Sequence, residues 1–286
     1  MRRSLVLLVI ALLVAGCGGG GKKAETAAGT SCDKGDLNLV NSGQLTIGTD
    51  NPAYPPWFGG KEKAPWKVSD PRSGEGFESA VAYAVADKLG FAKDEVKWVV
   101  VPFNTSFAPG PKKFDFDINQ ISFKPARAKA VDFSDSYYNV NQALVVLNGT
   151  KIASAKSIAD LKPYKFGAQL GTTSYDFIKS TIVPSKQPAV FDTNDAAVQS
   201  LKNKQIDGLV VDLPTAFYVT AAQVENSKIL GQFESTTNEH FGMVFAKGNS
   251  LLRCVNQALA DLKADGSLQD IQDKWLSKVA GAPVLK

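Results

Sequence analysis

The sequence predicts an α/β protein built as two lobes, with helices packed on the sheets, and three observations lead there. From residue 44 onward, short runs rich in β-branched residues alternate with stretches of helical periodicity, the pattern of strand–helix units. The chain has 286 residues, enough for two lobes of about 100 to 150 residues each. Its composition, 44% apolar and 21% charged, is that of a chain with a full core to bury.

The elements follow in chain order. Residues 44–50 and 96–101 read as strands, with a helix over 78–89 between them. In that helix Val81, Val85 and Leu89 recur at four-residue spacing and Gly90 stops the pattern. Further strands are expected over 115–122, 142–147, 165–170, 206–212 and 241–247. Helices are expected over 175–182, 196–203, 215–223, 251–265 and 268–277. Such alternation implies mostly parallel sheets, in which ligands gather at the carboxyl ends of the strands. Thr49-Asp50, Gln120-Ile121-Ser122, Leu170-Gly171-Thr172-Thr173 and Val211-Asp212 all fall at such ends, so four loops would converge on one cleft.

The first residues tell a separate story. Arg2 and Arg3 precede an unbroken apolar run from Leu5 to Ala15, then Gly16 and Cys17. That run is too short for a membrane-spanning helix, which needs about 20 residues, and has the layout of a secretory signal over residues 1–16. The ending Leu13-Val14-Ala15-Gly16-Cys17 resembles a bacterial lipobox, in which Cys17 becomes a lipidated N-terminus; a plain secretory signal is the alternative. Two acyl chains on Cys17 suffice for stable anchoring to a membrane. Residues 17–42 would then form a flexible tether, since Gly18 to Thr30 lacks apolar periodicity. The run from Gly16 to Lys23 nearly matches a phosphate-binding loop, but it has lysine at its eighth position and no flanking strand or helix pattern.

Composition excludes several functions. There are 32 basic and 28 acidic residues, evenly spread, too small an excess to suggest a nucleic-acid partner. His240 is the one histidine, which rules out a Cys/His zinc cluster and leaves a histidine-dependent triad a single candidate. No cofactor or metal is expected. Cys32 and Cys254 remain after Cys17, and outside the cytosol they can pair, tying the start of the folded body to a helix near its end. Two buried free thiols are the alternative.

The ordered set of motifs resembles the extracytoplasmic amino-acid-binding proteins of ATP-binding-cassette (ABC) importers, the polar amino acid type of solute-binding protein family 3. It runs from Gly48-Thr49-Asp50 and Tyr54-Pro55-Pro56-Trp57 through Gly76-Phe77-Glu78 and Phe114-Asp115 to the stretch Ile121 to Lys129. Val131 to Tyr138, Leu170 to Ser174, Ile206 to Asp212 and the closing segment Leu259 to Trp275 complete it. The resemblance covers about 240 residues and implies a type II periplasmic-binding-protein fold, each lobe a mixed sheet with flanking helices. Lobe 1 would comprise 43–139 plus 241–286 and lobe 2 would comprise 140–240, joined by two crossings near Val140 and Phe241 that act as a hinge. The implied partners are a free amino acid, polar and possibly basic or amide in its side chain, and an ABC permease, for a monomer held outside the cytoplasmic membrane.

The resemblance also implies roles. Arg127 offers a planar fork of donors to the ligand carboxylate, and Thr172 and Thr173 add donors ahead of a helix. Asp212 offers an anion to the ammonium, aided by acceptors at Gln120 and Ser122. Tyr54 and Phe103 would sandwich the ligand side chain, with Asp50 near it. Read singly, Arg127 also fits a surface ion pair, Asp212 and the threonines fit helix caps, and Phe103 and Trp57 fit core aromatics. His240 reads as a loop residue, and Asp115, Asp117, Asp132 and Asp135 as solvated carboxylates at strand ends. Asn119 and Gln120 depart from the small residues usual before the serine, and the long loop 59–75, with Trp66, could cover the cleft mouth. Two other functions fit the same fold: an extracytoplasmic dehydratase using Asp50 as a carboxylic acid, and a ligand-sensing subunit.

Overall fold

A computed structural model of the protein describes residues 31–234, 238–277 and 281–286. The expected signal, Cys17 and the tether up to residue 30 lie outside them, while residues 31–42, expected as tether, belong to the body: Cys32, Leu37 and Leu39 pack against its core. In chain order the first strands are β1 (Leu45–Thr49), β2 (Val96–Val100), β3 (Phe116–Asp117), β4 (Val131–Phe133), β5 (Tyr138–Asn139) and β6 (Gln142–Leu147). They are followed by β7 (Phe166–Gln169), β8 (Ala189–Phe191), β9 (Gly208–Asp212), β10 (Ser227–Phe233), β11 (His240–Phe241) and β12 (Val244–Ala246). The α-helices are α1 (Phe77–Lys88), α2 (Phe103–Ser106), α3 (Thr173–Phe177), α4 (Asn194–Lys202), α5 (Leu213–Tyr218), α6 (Leu251–Ala264) and α7 (Ser267–Leu276).

The strands form two five-stranded sheets, ordered β2-β1-β3-β12-β4 and β10-β6-β9-β7-β8. β1 is parallel to β2 and β3, and β7 is parallel to β8 and β9. β12 is antiparallel to β3 and β4, and β6 is antiparallel to β9 and β10. Both sheets are therefore mixed, as the family resemblance implied, whereas strand–helix alternation alone pointed to mostly parallel ones. β6 and β12 directly follow the two crossings between lobes, so they enter their sheets from the opposite end to strands that run toward the cleft. β11 pairs antiparallel with β5 through His240↔Asn139 and Phe241↔Tyr138, which lashes the two crossings together.

Burial explains the layers. All five residues of β1 are buried, as expected of a strand covered on both faces. In α6 the buried residues Leu251, Cys254, Val255, Ala258, Leu259 and Leu262 recur at three- and four-residue steps, one stripe of an amphipathic helix. That stripe packs with α1, α7 and the first sheet around Trp57, Phe77, Phe241 and Phe245. Each such side chain contributes roughly 1.5–3 kcal/mol when fully buried. The second sheet is covered on one face by α4 and α5, and on the other by α3 and the segment around Ile152 and Leu161. A disulfide joins Cys32 to Cys254, with Cα atoms 5.4 Å apart, and so fastens the start of the described body to α6.

Three local readings need correction. The strand expected over 115–122 stops at Asp117, and Gln120 has φ +48°, which turns the following residues into the space between the lobes. The tail does not stay with the first lobe: Val284 bridges to Gln232 of β10, and Leu285, 6% exposed, packs under the second sheet. The chain thus passes between the lobes a third time after α7. Asp115 and Asp117 are not solvated, being 1% and 0% exposed; Asp115 accepts N–H bonds from Val40 and Thr46. Among the described residues no helix is long and apolar enough to cross a membrane.

Candidate functional site

The carboxyl ends of the strands meet across the cleft, as the strand order requires. Asp50 follows β1, Phe103 lies just past β2, and Gln120 and Ser122 lie past β3. From the other side, Thr172 and Thr173 follow β7, and Asp212 ends β9. These residues, together with Tyr54 and Arg127, line one cavity of about 180 Å³. All nine residues nominated from the sequence face it. Drug-sized pockets start near roughly 300 Å³, so this space suits a smaller metabolite.

The lobes are closed on one another. Trp57 Nε1 donates to Thr215 Oγ1 at 2.9 Å, Tyr54 Oη donates to Asp195, and Lys124 pairs with Asp176. Trp57 is 2% exposed, so it serves both as a core aromatic and as a cross-cleft donor. The loop 59–75 contributes nothing to the cavity lining. Its Trp66 is buried in the core of the first lobe, so the apolar ring draws the loop down onto that lobe rather than over the cleft.

Arg127 is 7% exposed and is not a surface ion pair. Its Nη1 donates to the Ser122 carbonyl at 2.6 Å and its Nη2 to the Gly171 carbonyl on the other lobe at 2.7 Å. The guanidinium lies 4.2 Å from the Phe107 ring centroid and 5.6 Å from that of Phe103. Phe103 therefore supports the arginine as well as lining the cavity. Burial pulls the Arg127 pKa down to about 10, opposed by Asp176, Glu239 and Asp212. The group stays charged at neutral pH and needs an anion.

Asp212 occupies the N-cap position of α5, yet its side chain makes no capping bond. Its Oδ1 instead accepts from Gln142 Nε2 at 2.8 Å. Burial, and then the nearby Glu239 charge, push its pKa up. Thr172 does cap α3, accepting from the Tyr175 N–H at 3.2 Å. Thr173 Oγ1 lies 3.4 Å from Ser122 Oγ across the cleft.

At the far end of the cavity, Asp50 accepts from the Asn51 N–H at 2.7 Å and from the Phe103 N–H at 3.4 Å, and burial raises its pKa. Gln120 donates its backbone N–H and its side-chain Nε2 to Glu78, which leaves its carbonyl oxygens as the acceptors it can offer. Glu78 is 0% exposed, and burial pushes its pKa up to about 7.

Asp195, Tyr218 and Glu239 escaped the sequence reading. Asp195 and Tyr218 line the cavity, and the Tyr54 and Tyr218 rings are 5.7 Å apart. Asp195 opens α4 directly after β8, and β8, three residues long, carries too little alternation to mark a strand end. Glu239 sits beside the second crossing, next to His240. His240 itself stacks on Phe123 at 5.6 Å and does not line the cavity.

The model for the bacterial extracellular solute-binding proteins, family 3, matches residues 45–278. The L-cystine-binding protein TcyJ of Escherichia coli K12 is 29% identical over 259 residues, covering 89% of this chain and 89% of its own. An ancestral arginine-binding protein bound to arginine superposes with a TM-score of 0.67 at 34% identity, over 82% of this chain and 98% of that one. The ancestral amino acid-binding protein AncCDT-1, a precursor of cyclohexadienyl dehydratase, gives 0.64 at 30% identity, over 82% and 95%.

Proposed function

The chain belongs to the bacterial extracellular solute-binding proteins, family 3, and from that premise we propose that it captures one free α-amino acid in the cleft and delivers it to an ABC permease. The observation that carries this reading is the pair Arg127 and Asp212, one from each lobe, facing the same small cavity. An α-amino acid presents a carboxylate and an ammonium on one carbon, and so gives Arg127 its anion and gives Asp212 the cation that favours the charged form burial disfavours. Arg127 and Thr173 take the carboxylate, beside Thr172, whose hydroxyl hydrogen goes to the Gln169 carbonyl at 2.7 Å; Asp212, Ser122 and the Gln120 carbonyl take the ammonium. Because the two anchors lie on opposite lobes, the ligand stabilises the closed form over the open one, the differential affinity that closure requires.

The side-chain end favours a cation. Once Arg127 and Asp212 are matched to the α-groups, Asp50 and Asp195 remain, two carboxylates with Tyr54 between the lobes. A basic side chain is the proposed specificity, and an amide is its neutral competitor. Lipid anchoring through Cys17, with residues 17–30 as the tether, completes the proposal and puts the protein on the outer face of the cytoplasmic membrane as a monomer.

Purified protein, unfolded and refolded to strip ligand, is screened by thermal shift against the twenty amino acids. One-site binding at a thousandfold excess over Kd adds about 4 kcal/mol. The expected result is a rise in Tm with arginine or lysine that Arg127→Ala abolishes. No rise with any amino acid overturns the reading. The dehydratase reading has one point in its favour, the raised pKa of Asp50, which is what acid-catalysed elimination needs. Loss of arogenate or prephenate on incubation with the protein would establish it.

A further inference from the structure

Glu239 stands where both crossings and both lobes meet. Its Oε1 accepts the Ser122 hydroxyl at 2.7 Å. Gln142 Nε2, on the other lobe, lies 3.3 and 3.2 Å from its two oxygens and donates to Asp212 Oδ1 at 2.8 Å. Gln142 keeps this orientation because a flipped amide would turn its oxygen on the Asp212 and Glu239 carboxyl groups; its Oε1 accepts from Ser174 Oγ at 2.6 Å. The direction of each hydrogen is therefore set by the carboxylates. Ser122 spends its hydroxyl hydrogen on Glu239, and its oxygen keeps lone pairs for the cavity. The Gln142 amide spends its hydrogens on Glu239 and Asp212.

We propose that Glu239 is a positioning residue that makes the α-group site accept hydrogens only, so that it selects a ligand ammonium and rejects an α-hydroxyl. This rests on the amino-acid-binding reading of the cleft. Without Glu239 the Ser122 hydroxyl is free to rotate and donate. An α-hydroxy acid then finds a donor for its oxygen, while an α-ammonium loses an acceptor. The loss falls on discrimination at one atom of the ligand rather than on affinity in general. Arg127, which faces the carboxylate, hydrogen-bonds two backbone carbonyls and senses Glu239 only through its charge, an effect that both ligands, each with the same carboxylate, share.

The test uses the full chain with Glu239→Gln and Glu239→Ala. Titration calorimetry is run with the tightest-binding of the twenty L-amino acids and with the 2-hydroxy acid that differs from it only at the α-group. In the parent protein the amino acid is preferred. Glu239→Ala is expected to cut that preference about tenfold or more, the scale of one hydrogen bond involving a charged group. Glu239→Gln, which still offers a carbonyl to Ser122, should fall in between. An unchanged preference in both variants overturns the proposal, and so does an equal weakening of both ligands, which would mark a role in folding or hinge packing alone. Melting temperatures without ligand separate that case. If the parent protein binds no amino acid, the functional reading fails and this inference falls with it.

Discussion

The Tyr54 hydroxyl lies 2.7 Å from both carboxylate oxygens of Asp195, a bond that crosses the cleft from one lobe to the other. A phenol shared between the two oxygens of one carboxylate holds the lobes together and also puts an acidic group at the side-chain end of the cavity. Burial and Asp195 together push the Tyr54 pKa up, so the hydroxyl keeps its hydrogen.

Asp195→Asn should therefore weaken binding of a basic amino acid about tenfold or more, the range for hydrogen bonds to charged groups. Binding of glutamine should change much less. Calorimetry with arginine and glutamine on the same variant reads the difference, and equal losses for both would show that Asp195 serves closure alone.

Arg127→Lys should fail almost as badly as Arg127→Ala. The fork meets two backbone carbonyls on different lobes while turning toward the ligand, and an ammonium on a flexible stem cannot reproduce that geometry. A loss of roughly 100-fold in affinity is expected, within the range for truncating one partner of a buried charge pair. Fluorescence titration measures it.

Gly171→Ala should loosen closure of the cleft, since the Asn104 amide must turn aside and the backbone is strained. Gly171 has φ +80°, a region that disfavours side chains, and an added Cβ would stand 2.5 Å from Asn104 Oδ1 on the facing lobe. Weaker ligand binding and a larger radius of gyration by small-angle scattering with ligand present are the expected outcomes. Restored affinity in the Gly171→Ala, Asn104→Ala pair would locate the cause in that contact.

Stability should fall as pH rises through neutrality. Burial raises Glu78 from 4.5 to about 7, and burial together with Glu78 and Asp50 holds Asp117 well above its ordinary value. Between about 4.5 and 7 the folded state thus binds protons that the unfolded chain has released, so unfolding becomes easier with rising pH. Each group contributes up to about 1.4 kcal/mol per pH unit. Below that window both states are protonated and the effect vanishes. Melting temperatures at pH 5.5 and 8 check the sign, and Asp117→Asn should flatten the dependence.

The nine cleft residues were legible because strand ends in α/β units are legible, and an ordered set of short motifs marks them. Asp195 was hidden by the brevity of Ala189–Phe191, too short to alternate. Glu239 was hidden for a different reason: its meaning depends on two crossings lying side by side, a relation between residues about a hundred positions apart. Asp115 and Asp117 misled because a carboxylate near a strand end is usually wet. Asp117 is instead fully buried, with neither oxygen bonded among the described residues. The route of the tail left no periodic signal, since a single bridge and one buried leucine attach it.

That tail sets a mechanical stop. α7 ends with the first lobe at Leu276 and Val284 is pinned to β10 on the second, so the chain between them acts as a leash. At about 3.5 Å per residue its eight steps reach no further than roughly 28 Å. However freely the paired crossings bend, Leu276 and Val284 cannot part beyond that length without peeling Val284 and Leu285 from their sheet. A leash of this kind trims the widest excursions from the empty protein's repertoire, and so leaves the arriving ligand less disorder to suppress when it draws the cleft shut.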